Sequence, residues 1–442
     1  MSAAQLLSPM GKQLAQRIFL ETLATIDVRH AMLSKLKWQG QVLQVGNIQL
    51  RLRRQPRVIA FGKAACRMAA VLAEILEGSM ESGLAVGPTE PVQRLPRFRY
   101  FVGGHPDPNA GSFAAAEAAL ELVSGLSTED TVIFLVSGGG SALFEKPLDP
   151  AITLEDFLAF NRVLVRCGLP IEQINILRKH LSAIKGGRLA IRAYPARQLT
   201  VYISDVPDHL PSMIASGPTL PDESTAAEAC TLAAQHQLTA KFPPRIRARF
   251  EQGQLEETPK PGDQHFANSS YFCLLSNRDA VEAARAAAEK LGFVCAIDGN
   301  VWDTDYQQLA TANLASLEAL AKAHPSQPVC LIAGGEVTCA VTGPGLGGRN
   351  QAFVLFAAQL LGGQRRVVLS AGTDGRDGNS PTSGAVADGH TISRAQALGL
   401  DPKRYLAASD SYSFFRSLGD TVDIGFTDNN VRDVRIWLDF GP

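Results

Sequence analysis

The residues of this chain best suited to chemistry gather in two glycine-rich turns, each with basic side chains nearby. In one, Gly334-Gly335-Glu336 is followed by Gly343-Pro344-Gly345-Leu346-Gly347-Gly348-Arg349. Glycine lets backbone amides come close to an anion, and a helix starting at Arg349 would add the positive end of its dipole. Arginine forks onto phosphate or carboxylate through two parallel hydrogen bonds. Gly345, Gly347, Gly348 and Arg349 are therefore expected to line an anion site. The other turn is Val136-Ser137-Gly138-Gly139-Gly140-Ser141, whose hydroxyls and amides suit a phosphate cradle. It is not a Walker A loop, because no Gly-x-x-x-x-Gly-Lys-Ser/Thr occurs in the chain. It is not a nucleophile elbow either, because Ala142 and Leu143 follow Ser141.

Other groups join these turns. Lys63 follows Phe61-Gly62 at an expected helix start, where a cation opposes the helix dipole unless an anion is bound nearby. Helical spacing puts Leu177, Leu181 and Ile184 on one face and Arg178, Ser182 and Lys185 on another. That second stripe suits a polyphosphate or a solvated face, and the spacing does not choose between them. The pair Gly186-Gly187 predicts close approach by another backbone. Asp205, Asp374, Asp377 and Asp388 fall on or near strand-end loops, where a carboxylate can hold Mg²⁺ or take a proton. Aspartate also favours turns for local reasons. His105 and His180 are candidate bases, in a setting where histidine is more often structural.

These residues are delivered by a repeated pattern. Short β-rich runs at 57–61, 131–136, 199–203, 271–275 and 367–369 each end in Gly, Ser, Asp or Lys and lead into helical or polar segments. Near-continuous apolar strands between helices predict an α/β fold, with ligands at the carboxyl ends of the strands. The run 337–342 is read as a further strand forming a hairpin with 331–336. The polar stretch 251–267, with Pro259 and Pro261, reads as an exposed linker between domains at 1–255 and 268–442.

Composition limits the function classes. The chain has 442 residues, 45% apolar and 19% charged, with a net charge of −1. That describes a folded protein of two or three domains and argues against nucleic acid as a partner. Seven cysteines without Cys-x-x-Cys spacing point to neither a zinc site nor a disulfide framework. Cys66, Cys273, Cys295 and Cys330 are expected in the core. No apolar run is long enough to cross a bilayer and no secretory leader is evident, so a cytoplasmic protein with no membrane partner is expected. Cationic clamps, glycine loops and strand-end aspartates, without a nucleophile dyad, fit phosphoryl transfer.

Taken together, these segments resemble the glycerate 2-kinase family, a glycerate-kinase N-terminal domain followed by a MOFRL domain. The resemblance rests on Phe61-Gly62-Lys63-Ala64, Gly104-His105-Pro106, 136–143, 178–188, Ser204-Asp205-Val206-Pro207, 214–219, Gly334-Gly335-Glu336, 347–351, 370–378 and Asp410-Ser411-Tyr412 with Phe414-Phe415. It implies a Rossmann-like parallel-sheet N-terminal domain and an α/β C-terminal MOFRL-type domain with a mixed sheet. It also implies ATP- and Mg²⁺-dependent phosphorylation of D-glycerate on its 2-hydroxyl, giving 2-phosphoglycerate and ADP, in a cleft between domains. Lys63 and Arg349 would be the cationic groups and Asp205 the carboxylate acting on hydroxyl or metal. Ser137, Gly138, Gly139, Gly140, Ser141, Lys185, Gly345, Gly347 and Gly348 would line the nucleotide region, and Asp205, Asp374 and Asp377 the metal. Glycerate and nucleotide are the expected partners, and the sequence is compatible with a homodimer.

Three segments depart from the family pattern: Asp208-His209-Leu210, Ser380-Pro381-Thr382-Ser383 and 426–432. The second lacks a carboxylate that the family carries, which leaves Asp374, Asp377 and Asp388 to substitute. Two alternatives stand beside the kinase. One is an NAD(P)H-dependent hydroxypyruvate reductase using Gly343-x-Gly345-x-x-Gly348 as a dinucleotide loop. The expected hairpin is not the βαβ unit that this loop needs, and Asp374 lies farther on than the usual spacing of about 20 residues. The other is a kinase-like protein that acts on, or only binds, a related hydroxy acid.

Overall fold

The computed structural model describes residues 3–441. The chain forms two compact units, one of residues 31–274 and one of the residues up to His30 together with those from Leu275 onward. This differs from the division expected at 251–267. That segment is pinned to the first unit: Thr258 is buried and donates to Asp222 (2.9 Å), whose backbone amide donates to Pro259 O (2.9 Å). The helix Ala3–Thr25 packs in the second unit, burying Ala15, Ile18 and Phe19. Its Lys12 is paired with Asp420 (2.9 Å) and Asp388 (3.4 Å).

In the first unit, β1 (Leu36–Gln39), β2 (Val42–Val45) and β3 (Ile48–Arg51) make a small antiparallel sheet. The main sheet contains β4 (Arg57–Phe61), β5 (Ser82–Gly87), β6 (Phe98–Val102), β7 (Thr131–Val136), β8 (Arg197–Ile203) and β9 (Ser269–Leu275), in the order β6-β5-β4-β7-β8-β9. β4 runs parallel to β5 and β7, β5 to β6, and β7 to β8. β7 is buried throughout its length, and a cluster including Ile59, Phe61, Phe134 and Leu143 fills the space beneath the helices. This is the Rossmann-like strand order, and it reverses between β4 and β7. In such sheets ligands bind at that reversal, outside the carboxyl ends of the strands.

The second unit carries β10 (Val294–Asp305), β11 (Val329–Thr338), β12 (Arg366–Gly372), β13 (Gly384–Asp388), β14 (Thr421–Val422) and β15 (Asp433–Asp439), in the order β10-β11-β15-β12-β13-β14. β10 and β11 are parallel. β15 runs antiparallel between β11 and β12, so the sheet is mixed. The expected hairpin at 331–342 does not form, because 329–338 is one strand buried between two neighbours. The loop 339–348 and the helix Arg349–Leu361 then cross over to β12.

The helix expected through 177–188 stops at Lys179, and the glycine pair that follows turns the chain. Gly187 N donates to Gly217 O (2.7 Å) and Gly186 N to Ser216 O (3.1 Å), the close backbone approach that the pair predicted. Of the four cysteines expected in the core, only Cys330 is fully buried; Cys66, Cys273 and Cys295 are half-buried. Among the described residues, no helix is long and apolar enough to cross a membrane.

Candidate active-site surfaces

In the first unit, the reversal between β4 and β7 gathers several of the residues named from the sequence. Phe61 O accepts from Ser137 N (3.1 Å), Lys63 N donates to Gly138 O (2.9 Å), and Ser137 Oγ accepts from Ala64 N (3.0 Å). The two strand-end turns are therefore laced together, with Ser137 acting as the tie. Gly62, at φ +118°, is pressed against it: a methyl there would lie 2.4 Å from Ser137 O. Asp205, at the end of β8, leans on the same turn, and a methyl on Gly138 would lie 2.4 Å from its Oδ2. Lys63 and Asp205 are half-buried, as accessible groups facing a ligand would be. The structure thus brings Lys63, Asp205 and the turn 137–141 together.

Lys185 has a different place from the one its helical spacing suggested. Only 1% of its side chain is exposed, and it is paired with Glu145, which is fully enclosed. Its Nζ also donates to Ser141 O (2.7 Å), and Ser182 Oγ donates to Glu145 (2.5 Å). Burial pushes the Lys185 ammonium below its ordinary range, while Glu145 pulls it back up. Lys185 therefore braces the glycine turn from below. Ser141 Oγ is likewise engaged, at 2.9 Å from Ser216 Oγ, which donates to Asn175 (3.1 Å). Glu145 was missed by the sequence reading, and nothing in its neighbours signals that an ion pair forms there. His180 is structural: it is 1% exposed, with Nδ1 2.9 Å from Ile176 O and Nε2 3.4 Å from Glu257.

In the second unit, Arg349 starts its helix as expected but is already forked onto protein carboxylates. Nε and one terminal nitrogen donate to Asp433 (2.6 and 3.0 Å), and the other lies 2.5 Å from Glu336. Glu336 also pairs with Arg432, and the fully buried Arg435 lies 3.4 Å from Asp433. Burial alone would raise the Asp433 carboxyl, but Arg349 outweighs it and holds the group below its ordinary range. Burial would likewise weaken the hold of Arg349 on its proton; Asp433, and then Glu336, more than reverse that. Asp433 and Glu336 belong to this cluster although the sequence reading gave them no role. β15 carries Asp433 to the carboxyl ends of β11 and β12, opposite Gly335 and Gly372, a register invisible before the sheet is known.

The helix start is also filled from within. Asp377 accepts the amides of Asn350 (3.0 Å) and Gln351 (2.8 Å), the positions an external phosphate would use. Burial pushes its carboxyl up to about 7 against the pull of those amides. Asp377 is thus a helix cap, poorly placed to hold metal. The glycines of the loop are packed against protein: methyls on Gly343 and Gly345 would lie 2.5 and 2.7 Å from Ala408 O, and one on Gly348 would lie 2.3 Å from Asp377 Oδ1.

A cavity of about 890 Å³ opens beside this loop, lined among others by Asp303, Tyr306, Glu336, Gly347, Arg349 and Ser411. Asp374 is half-buried on the other side of Arg349's partner: a methyl on Gly372 would lie 3.3 Å from Asp374 Oδ1 and 3.6 Å from Asp433 Oδ1. Asp388 lies at the far end of the sheet, opposite Val367 at the start of β12, and is excluded by position. No group of three or more His, Cys, Asp or Glu suited to a metal ion occurs among the described residues. The altered segment 380–383 packs inward: Gln351 Nε2 donates to Ser380 Oγ (3.0 Å) and Thr382 Oγ1 (2.8 Å). In 426–432, Phe426 is exposed beneath Arg376, 4.5 Å from its ring centre.

Residues 14–251 match the family described as a domain of unknown function (DUF4147), and residues 329–433 match the MOFRL family. A D-glycerate 2-kinase of Thermotoga maritima is 37% identical over 388 residues, covering 86% of this chain and 90% of the relative. The chain belongs to the glycerate 2-kinase family. The crystal structure of a glycerate kinase from Thermotoga maritima superposes with a TM-score of 0.83 at 33% identity, over 97% of this chain and 99% of the other. An Agrobacterium vitis relative, 35% identical over 97% of this chain and 94% of its own length, carries the provisional name of hydroxypyruvate reductase. The two-unit α/β fold, parallel sheet first and mixed sheet second, is that of the glycerate 2-kinase family.

Proposed function

We propose that the protein is an ATP- and Mg²⁺-dependent glycerate 2-kinase, transferring the γ-phosphoryl group to the 2-hydroxyl of D-glycerate to give 2-phosphoglycerate and ADP. The observation that carries the reading is the meeting of Lys63, Asp205 and the turn 137–141 at the reversal of a parallel sheet, in a chain whose relatives are named glycerate kinases. Phosphoryl transfer asks mainly for positioning and charge neutralisation. Lys63, half-buried at the β4 turn, supplies a cation for the transferred phosphoryl group. Asp205 supplies the carboxylate that orients the 2-hydroxyl or the metal. In the second unit, Arg349 supplies a guanidinium to a cavity also lined by Asp303, Asp305 and Glu336.

Asp374, within the second unit, is a half-buried carboxylate, and Asp205, within the first, is a half-buried oxygen donor of the kind Mg²⁺ takes alongside water and substrate phosphates. Bound there, the ion would neutralise charge on the phosphates. A cytoplasmic location is part of the same proposal. The reductase reading is disfavoured by packing. β11, the helix Arg349–Leu361 and β12 do form a crossover, so the hairpin objection fails. However, Gly343, Gly345 and Gly348 face protein atoms, and Asp377 occupies the helix amides. A dinucleotide pyrophosphate has no room to take that place.

The test is ADP release from ATP, Mg²⁺ and D-glycerate, followed by offering the product to enolase. Enolase turnover establishes 2-phosphoglycerate. ADP release without turnover moves the reaction to another hydroxyl or acceptor. No ADP, with NADH oxidised by hydroxypyruvate, overturns the reading.

A further inference from the structure

We propose that His105 is a catalytic residue, whose imidazole takes the proton of the acceptor hydroxyl during phosphoryl transfer; this rests on the kinase reading above. His105 sits in the loop 103–109 between β6 and the helix Ala110–Leu122. Both ends of the loop are anchored. A methyl on Gly103 would lie 2.5 Å from Leu143 O, just beyond the glycine turn, and Gly104 N donates to Ser112 Oγ (3.0 Å). Asn109 and Ser112 then form a reciprocal cap on the helix, which fixes the loop's exit.

The imidazole is laid against the turn after β7. A methyl on Gly139, which has φ +81°, would lie 3.1 Å from His105 Cδ2, 3.3 Å from Nε2 and 3.3 Å from Lys63 Cγ. The preceding glycine, Gly138, is flanked by the Asp205 carboxylate in the same way. Two consecutive glycines therefore carry an imidazole and a carboxylate, with Lys63 beside the imidazole. Three strand ends and the loop after β6 supply these groups. His105 is also exposed. His180, by contrast, is enclosed in the protein. Charged groups on the elements packed here include Lys63 beside Gly139, Asp205 beside Gly138, and Asp107 on the same loop, whose charge is felt by Arg178.

The chemistry divides accordingly. The hydroxyl oxygen forms a bond to the γ-phosphorus while the bond from that phosphorus to the β,γ-bridging oxygen breaks. ADP leaves with that electron pair. The hydroxyl proton passes to an imidazole nitrogen and then to solvent. Lys63 faces the phosphoryl charge, and Asp205 is left to orient the hydroxyl or a cation. Histidine suits the proton step because its charge changes near neutral pH.

The test is steady-state ADP release with ATP, Mg²⁺ and D-glycerate across about pH 5.5 to 9.5, comparing wild type with His105→Asn and His105→Gln. Both variants should lose roughly 100-fold or more in kcat. KM for ATP and the melting temperature should stay near wild type. The acid limb of kcat/KM should disappear, and added imidazole should restore part of the rate. Rates within about fivefold of wild type with the acid limb intact would overturn the proposal. So would an equal loss that imidazole does not relieve and that comes with raised KM for ATP, the mark of a disturbed loop. A wild type that releases no ADP would instead bring down the kinase reading itself.

Discussion

Replacing Lys185 by methionine tests the brace beneath the glycine turn. Lys185 and Glu145 have side chains 1% and 0% exposed, so the pair exchanges almost nothing with solvent. Replacing a whole buried pair by apolar groups is often neutral, but removing one partner strands the other charge and costs about 3–5 kcal/mol. Ser182 Oγ and the amide of Lys146 still reach Glu145, at 2.5 and 2.8 Å, which favours the lower half of that range. A loss of about 3 kcal/mol is a large part of the roughly 5–15 kcal/mol that holds a domain together, and in a unit of this size it lowers the melting temperature by roughly 6–12 °C. The double variant Glu145→Gln/Lys185→Met removes the stranded charge and should recover more than half of that loss. Urea unfolding of wild type, both single variants and the double variant gives the coupling energy directly. The reasoning fails if Lys185→Met costs under about 1 kcal/mol, or if the double variant is as unstable as the sum of the singles. Activity should not return with stability, because Ser141 O has lost its donor in the double variant as well.

Lys63→Ala should lower kcat by orders of magnitude with an unchanged melting temperature; a rate within tenfold removes Lys63 from the chemistry. Arg349→Ala should lose both activity and stability, because Asp433 is left enclosed without its fork, whereas Arg349→Lys should keep the fold and lose most of the rate; thermal melts beside ADP release separate the two. Gly138→Ala would place a methyl 2.4 Å from Asp205 Oδ2, so Asp205 must shift and the rate should fall at least tenfold, read in the same assay. Asp377 has its carboxyl raised by burial to about 7, so its protonated form favours the folded state. Its contribution is full below about pH 4 and is lost as pH rises toward 7. Subtracting the pH–stability curve of Asp377→Asn from that of wild type should isolate this fall, and a flat difference would refute it.

Much of the first unit was legible because strand ends announce themselves. The apolar runs at 57–61 and 131–136 break abruptly into Gly-Lys and Ser-Gly-Gly-Gly-Ser, and the α/β rule places ligands there. What could not be read was which charges the protein spends on itself. Lys185 and Arg349 look alike in sequence, each a cation next to glycines. One is sealed against Glu145, and the other is forked onto Asp433 while still lining a cavity. Those partners lie 40 and 84 positions away and meet only through strand order. The hairpin misreading at 331–342 has a similar cause: Gly334-Gly335 resembles a turn, but β15 pairs with both glycines and carries the strand through them. His105 was undervalued because its loop reaches a turn that lies three strands away in the sheet.

The packing of the helix Ala3–Thr25 with residues beyond Leu275 makes the second unit discontinuous. A ribosome would release this helix first and its partners β12, β13 and β15 last, with all of residues 31–274 made in between. The first unit can therefore be complete while Ile18 and Phe19 still lack the surface that will cover them. The second unit closes only through contacts of very long sequence separation, which form slowly because a large loop must be drawn in first. Cutting the gene at residue 275 would yield a fragment without its covering helix, whereas cutting at 31 and 274 would release a continuous one. Order of synthesis, as much as final stability, thus sets which half of this molecule is exposed to misfolding.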